Sequence, residues 1–164
     1  MLTQRFQRNH TSKFGVMSTV TEQFHQLCKS GIVAGPPLTS QIIEAEAVLE
    51  IAFPDQYRTF LQEYGAVVAP CIEIYGVIDP DKNDPPMWHH VVETALKLRA
   101  WRQSGSENRN FIPISDDGMG IYFYIDASSG SSAEVWAIGP GIEQVVASSL
   151  YEFAILYSCG KLAM

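Results

Sequence analysis

The chain has 164 residues, 46% hydrophobic and 18% charged, with a formal net charge of −7 and an isoelectric point near 5.0. Its length suits one domain with a core of its own, and its Gly, Pro and aromatic content excludes a disordered chain. A negative summed field disfavours nucleic acid and anionic membrane surfaces and favours basic partners.

Residues 1–17 lack periodicity and read as a flexible N-terminal extension, with Arg5, Arg8 and Lys13 and no acid; residues 18–164 read as a single domain. Thr19-x-x-Glu22 is a capping box that opens a helix carrying Val20, Phe24 and Leu27, and Gly31 ends it. After Pro36-Pro37, Thr39 or Ser40 caps a second helix with Ile42, Ala45 and Leu49 as its buried stripe. Phe53-Pro54 breaks the chain and restarts it, with the proline at the first helical position. Tyr57, Phe60, Leu61 and Tyr64 then recur at i, i+3, i+4 and i+7, and Gly65 supplies the C-cap.

From Cys71 the period changes to two, with Ile72 and Ile74 on one face of a strand. The Asp-, Asn- and Pro-rich segment from Asp79 to Pro86 reads as a loop. A helix is predicted from Trp88 to Gln103, with Val91, Val92, Ala95, Leu96 and Leu98 inward. The last third reads as strands: Phe111–Ile114, a turn at Asp116-Asp117-Gly118-Met119-Gly120, Ile121–Asp126, and Glu134–Ile138. Ser149-x-x-Glu152 opens a closing helix with Leu150, Phe153, Ala154 and Tyr157. Helices first, then strands joined by short turns, then a helix, define an α+β fold with a mainly antiparallel twisted sheet.

Cys28, Cys71 and Cys159 fit neither a disulfide framework nor paired metal ligands, and their apolar surroundings predict buried, inert thiols. No apolar run approaches the roughly 20 residues of a membrane span, and the N-terminus lacks the apolar core of a signal peptide. These features predict a cytoplasmic protein that binds no membrane and no nucleic acid; whether it forms a homodimer stays open.

Several segments taken together resemble the SUKH superfamily, which joins Smi/Knr cell-wall regulators and toxin-immunity proteins. They are Ala45-Glu46-Ala47-x-Leu49, Phe53-Pro54-x-x-Tyr57-x-x-Phe60-Leu61-x-x-Tyr64-Gly65, and Glu73-Ile74-Tyr75-Gly76. Phe111-Ile-Pro-Ile-Ser-Asp116-Asp117-Gly118, Tyr122-Phe123-Tyr124-Ile125-Asp126, Glu134-Val135-Trp136 and Ser148-Ser149-Leu150-x-x-Phe153 continue the order. The resemblance covers roughly residues 36 to 158; Ala66-Val67-Val68 departs from it, and residues 1 to 35 lie outside it. It implies a compact α+β fold, no catalytic residues and no cofactor. It also implies a protein partner: in bacterial immunity proteins a secreted toxin, often a nuclease, from the same locus, and in other members an interaction network.

The residues themselves offer one surface and a few sites to weigh against it. Tyr75, Tyr122, Tyr124, Asp126, Glu134 and Trp136 have the aromatic and acidic composition of a hot spot for a basic protein partner, and Asp116 and Asp117 add exposed charge. The alternative for the aromatics is a sheet face covered by helices. Asp116 and Asp117 could ligate a metal for a hydrolase, together with Asp126, but their spacing fits a hairpin turn better. Asp79-x-Asp81-x-Asn83 starts like a calcium loop and then fails at Asp84 and His90; His89 and His90, being adjacent, cannot chelate one ion from a helix. The expectation is therefore an immunity protein that neutralises a toxin stoichiometrically through an acidic surface. A regulatory or scaffold module of the same fold is the alternative.

Overall fold

Thr19 closes its capping box as the spacing predicts: its hydroxyl accepts from Glu22 N at 3.1 Å, and the Glu22 carboxylate accepts from Thr19 N at 3.2 Å. The computed structural model describes residues 18–164, and the predicted N-terminal extension lies outside the described residues. From the box runs α1 (Val20–Ser30), followed by β1 (Ile32–Val33), α2 (Thr39–Leu49), α3 (Asp55–Tyr64), β2 (Val67–Ala69) and β3 (Ile72–Ile74). A 3-10 turn at Pro80–Lys82 leads to α4 (Val91–Ala100), β4 (Phe111–Asp116), β5 (Tyr122–Asp126), β6 (Val135–Gly139), β7 (Ile142–Ala147) and α5 (Leu150–Ser158).

The strands form two antiparallel sheets, β1-β2-β3 and β4-β5-β6-β7, so the chain has an α+β fold. The sheets meet where Tyr75 N donates to Ile114 O at 2.8 Å and the Ser115 hydroxyl donates to Glu73 O at 2.6 Å. One face of the larger sheet presents Phe123, Ile125, Val135 and Ala137 to α1, α3 and α5, and this cluster of buried side chains runs from Phe24 to Ala154. The opposite face carries a smaller cluster of Leu98, Phe111, Tyr124 and Ile138 under α4. No helix among the described residues is long and apolar enough to cross a membrane.

Several boundaries differ from the sequence reading. The fourth helix starts at Val91 and not at Trp88, because the backbone on either side of His90 pairs with Gly76: Gly76 N donates to His89 O at 3.2 Å and Val91 N to Gly76 O at 2.8 Å. His90 then caps the helix through Nδ1, and Leu96 faces solvent. Leu38, with Gln41 reaching back to its N–H, is the N-cap of α2 in place of Thr39 or Ser40, and Pro54 is the N-cap of α3. Of the three thiols only Cys28 is buried, which pushes it up to about 12; Cys71, in a left-handed turn at φ 64°, and Cys159, past the end of α5, are exposed.

At α5, Ser149 caps Glu152 N at 3.2 Å as expected, but the Glu152 carboxylate reaches Ser148, accepting from its hydroxyl and its N–H. Those bonds, the hydroxyl's first, hold the carboxyl below the usual carboxylate range. A carboxyl depressed by folding stabilises the fold above its unfolded pKa, near 4.3, and that contribution is lost as pH falls through the folded value. Glu152→Gln is therefore expected to cost roughly 0.5–1 kcal/mol at neutral pH, solvent screening keeping it small. Urea titrations at descending pH should show the gap to wild type closing in the acid range; a gap independent of pH would refute the assignment.

Candidate functional site

The connection between β4 and β5 is built by its two aspartates. Asp117 Oδ1 accepts from Met119 N at 2.8 Å and from Ile121 N at 3.0 Å, while Asp116 Oδ1 accepts from Gly118 N at 2.7 Å. Both are half-buried turn residues, not fully exposed acids, and Met119 stands at the tip, 83% exposed. The second oxygen of Asp116 accepts the Tyr75 hydroxyl. Tyr75 itself is 1% exposed, and its carbonyl accepts the Tyr57 hydroxyl at 2.8 Å. Burial first, then the bond to Asp116, raises its hydroxyl pKa far above the ordinary value. Tyr75 thus ties the rim to the core and is not available as a contact residue.

Two half-buried tyrosines flank the aspartates. Tyr122 pairs with Asp116 across the ladder, and burial and then Asp116 and Asp117 raise its hydroxyl pKa. Tyr157 on α5 packs against Phe123 and Phe153 at centroid distances of 5.2 and 5.6 Å, and is raised by burial, then by Asp117 and Asp116. A third acid, Glu73, accepts from both N and Nδ1 of His89 at 2.8 Å, and the His89 ring lies 5.2 Å from that of Tyr75. Tyr157, Glu73 and Met119 were legible in the sequence only as members of a helical stripe, a strand alternation and a turn.

The other predicted residues lie elsewhere on the sheet. Tyr122 faces Asp116 at one end of β5, and Asp126 faces Phe111 at the other. There Asp126 Oδ1 accepts from Ser128 N and Oγ at 2.9 and 2.6 Å, and Asp126 N donates to Glu134 O at 2.9 Å. Tyr124 and Trp136 are directly paired between the two ends. Tyr124, 1% exposed, is a core residue whose hydroxyl donates to Ser104 O at 3.1 Å. The alternation did place Tyr122 and Tyr124 on one face, but α4 and the turn after it cover the Tyr124 part. Trp136 is half-buried, and its Nε1 is enclosed without a partner among the described residues. The eight residues therefore divide into an acidic rim of Asp116, Asp117 and Tyr122 over Tyr75, a distal pair of Asp126 and Glu134, and the half-covered strip of Tyr124 and Trp136.

Two antiparallel sheets, helices over one face of the larger sheet with α4 over part of the other, and an acidic, tyrosine-flanked rim at the β4–β5 end define an α+β protein. The chain belongs to the family described as SMI1-KNR4 cell-wall, whose model (SUKH_5) matches residues 17–155. The match takes in α1, which lies outside the segments that carried the resemblance. Comparison with curated proteins gives no match.

Proposed function

We propose that this chain is an immunity-type binding protein that neutralises a basic toxin by docking its acidic rim onto it. The observation that carries this reading is the convergence of Asp116 and Asp117 with the half-buried Tyr122 and Tyr157 on one rim of a chain of net charge −7, with Glu73 acting on the same Tyr75 hydroxyl that Asp116 accepts. Half-buried tyrosines beside carboxylates supply rigid contact area together with charge, the composition that binding energy concentrates on. Family membership supports the same reading, since many members protect against toxins. The mechanism is stoichiometric occlusion, and no residue is assigned a catalytic role. Asp126, Glu134 and Trp136 form a second contact area along the same sheet, and the cytoplasm is where such a protein would meet its toxin.

The test is co-expression with the product of the neighbouring reading frame, scored by growth and by co-purification. Rescue with a one-to-one complex supports the proposal. Asp116→Asn with Asp117→Asn removes two charges but keeps an acceptor oxygen for each turn amide. Electrostatic steering acts mainly on encounter, so the association rate should fall about tenfold at low salt, with a small change in dissociation. An association rate unchanged by the double variant and by salt would sink the electrostatic docking. The family's cell-wall description favours a second reading, a regulatory or scaffold module of the same fold. Pull-downs with several partners and no dominant one would select it.

A further inference from the structure

Half of the cations in residues 18–164 fall in one stretch: Lys97, Arg99, Arg102 and Arg109, with Glu107 the single acid between 97 and 109. The fold gathers three of them. Trp101 still has helical φ and ψ after α4, and Arg102 then turns the chain through the left-handed region at φ 53°. The returning turn is pinned to the core, since Ser104 O accepts the Tyr124 hydroxyl at 3.1 Å and the Ser106 hydroxyl donates to Gln103 O at 2.6 Å. Arg99, Arg102 and Arg109, with Ser106 and Glu107, line a cavity of about 380 Å³.

None of the three arginines has a carboxylate within ion-pair distance among the described residues, although the chain carries 18 acids. Burial, and then the neighbouring Arg109, lowers the Arg99 guanidinium pKa below its ordinary value. Complementing the negative end of α4 accounts for Lys97 and Arg99, which lie in its last turn. It does not account for Arg109, which the chain returns to the same cavity well beyond the helix. Lys97 is drawn aside over the Trp101 ring, 4.6 Å from its centroid.

We propose that this cavity binds a phosphate-bearing small molecule, with the guanidinium groups of Arg99, Arg102 and Arg109 holding its phosphate oxygens. Guanidinium forks match phosphate oxygens pairwise, and three of them suit a multiply charged anion better than one carboxylate. The volume falls in the range of small-ligand pockets, about 300–1,000 Å³, leaving room beyond a lone phosphate group. Arg99, half-buried beside Arg109 with no carboxylate paired to it among the described residues, opposes folding, an arrangement typical of a site that is completed by its ligand.

The probe is inorganic pyrophosphate, titrated by calorimetry into the full chain at low and at physiological ionic strength. One-to-one binding is expected, with Arg99→Gln and Arg109→Gln each weakening it about tenfold or more. Lys29→Gln removes the same charge from α1 and should leave the affinity within about twofold. Without pyrophosphate, Arg99→Gln should leave the melting temperature nearly unchanged, because relief of the repulsion from Arg109 offsets the lost complement to the negative end of α4. No binding, an equal loss in Lys29→Gln, or a lowered melting temperature with unchanged affinity each overturns the site. Binding of poly-glutamate but not of pyrophosphate also overturns it, and assigns the cavity to an acidic protein partner. The acidic rim is separate, so failure here leaves the docking proposal intact, and the reverse holds.

Discussion

Gly76→Ala is expected to abolish the folded state, whereas Gly118→Ala should be tolerated. A Cβ on Gly76 would overlap the carbonyl oxygen of Gly65 and lie 2.6 Å from its carbonyl carbon and 3.1 Å from Ala66 Cα. Gly65, at φ 72°, is pressed in turn against the carbonyl of Gly35. Three backbone segments cross here, and none can swing aside as a side chain would. Separating them would break Gly35 N to Tyr64 O at 2.9 Å, Val77 N to Gly65 O at 3.1 Å and Val91 N to Gly76 O at 2.8 Å. The expected cost is at least about 4 kcal/mol, a large share of the roughly 5–15 kcal/mol that holds a domain together. Gly118, at φ 75° with no atom within 4 Å of a built Cβ, would bear only left-handed strain of about 1–2 kcal/mol. Near-ultraviolet circular dichroism without denaturant reads whether Gly76→Ala folds, and the urea midpoint reads Gly118→Ala; a folded Gly76→Ala with a midpoint equal to that of Gly118→Ala would refute the crossing as the cause.

Phe24→Ala should cost about 3–5 kcal/mol, the range for emptying a buried phenylalanine site. The ring is fully buried, stacked on Tyr151 with centroids 3.9 Å apart at 12°, and edge-on to Phe60 at 6.0 Å. It sits on α1, a helix that the resembling segments left out, so the result decides whether α1 belongs to the cooperative core. Val20→Ala on the same helix, at a site 47% exposed, should stay within about 0.5 kcal/mol. A loss below about 1 kcal/mol for Phe24→Ala would mean that α1 detaches without disturbing the rest.

The elements that were legible in the sequence are those set by neighbours along the chain. The capping box at Thr19 and Glu22 and the stripe of Tyr57, Phe60 and Leu61 depend on contacts three and four residues apart, and each appears as predicted. The hairpin of β4 and β5 follows from alternation plus an Asp-Asp-Gly turn. By contrast, β1, β2 and β7 carry no such signal. The first two are two and three residues long, and β7 has solvent on much of its surface. Such strands exist because partners pair with them, as Val68 pairs with both Ile32 and Glu73. The fourth helix was overextended because nothing local shows that Gly76 will pair with the backbone around His90.

The candidate site divides in the same way. Composition and alternation picked out Asp116, Asp117 and Tyr122, along with Tyr124, which is core, and Asp126, which stands at the far end of the strand. The roles of Tyr157 and Glu73 were not legible, since the groups they meet, Asp117 and His89, lie in other segments of the chain. The arginine cavity was not legible either, since it depends on the left-handed turn at Arg102 that folds a single stretch back on itself. By itself the sequence determined the α+β class, the family resemblance, the acidic balance and which residues share a face. Only the tertiary structure decided which face α4 covers, that Tyr75 and Tyr124 are core residues, and where the three arginines converge. The physical reason is that periodicity and capping act over one or two turns of chain, whereas coverage of a face is settled by packing between distant segments.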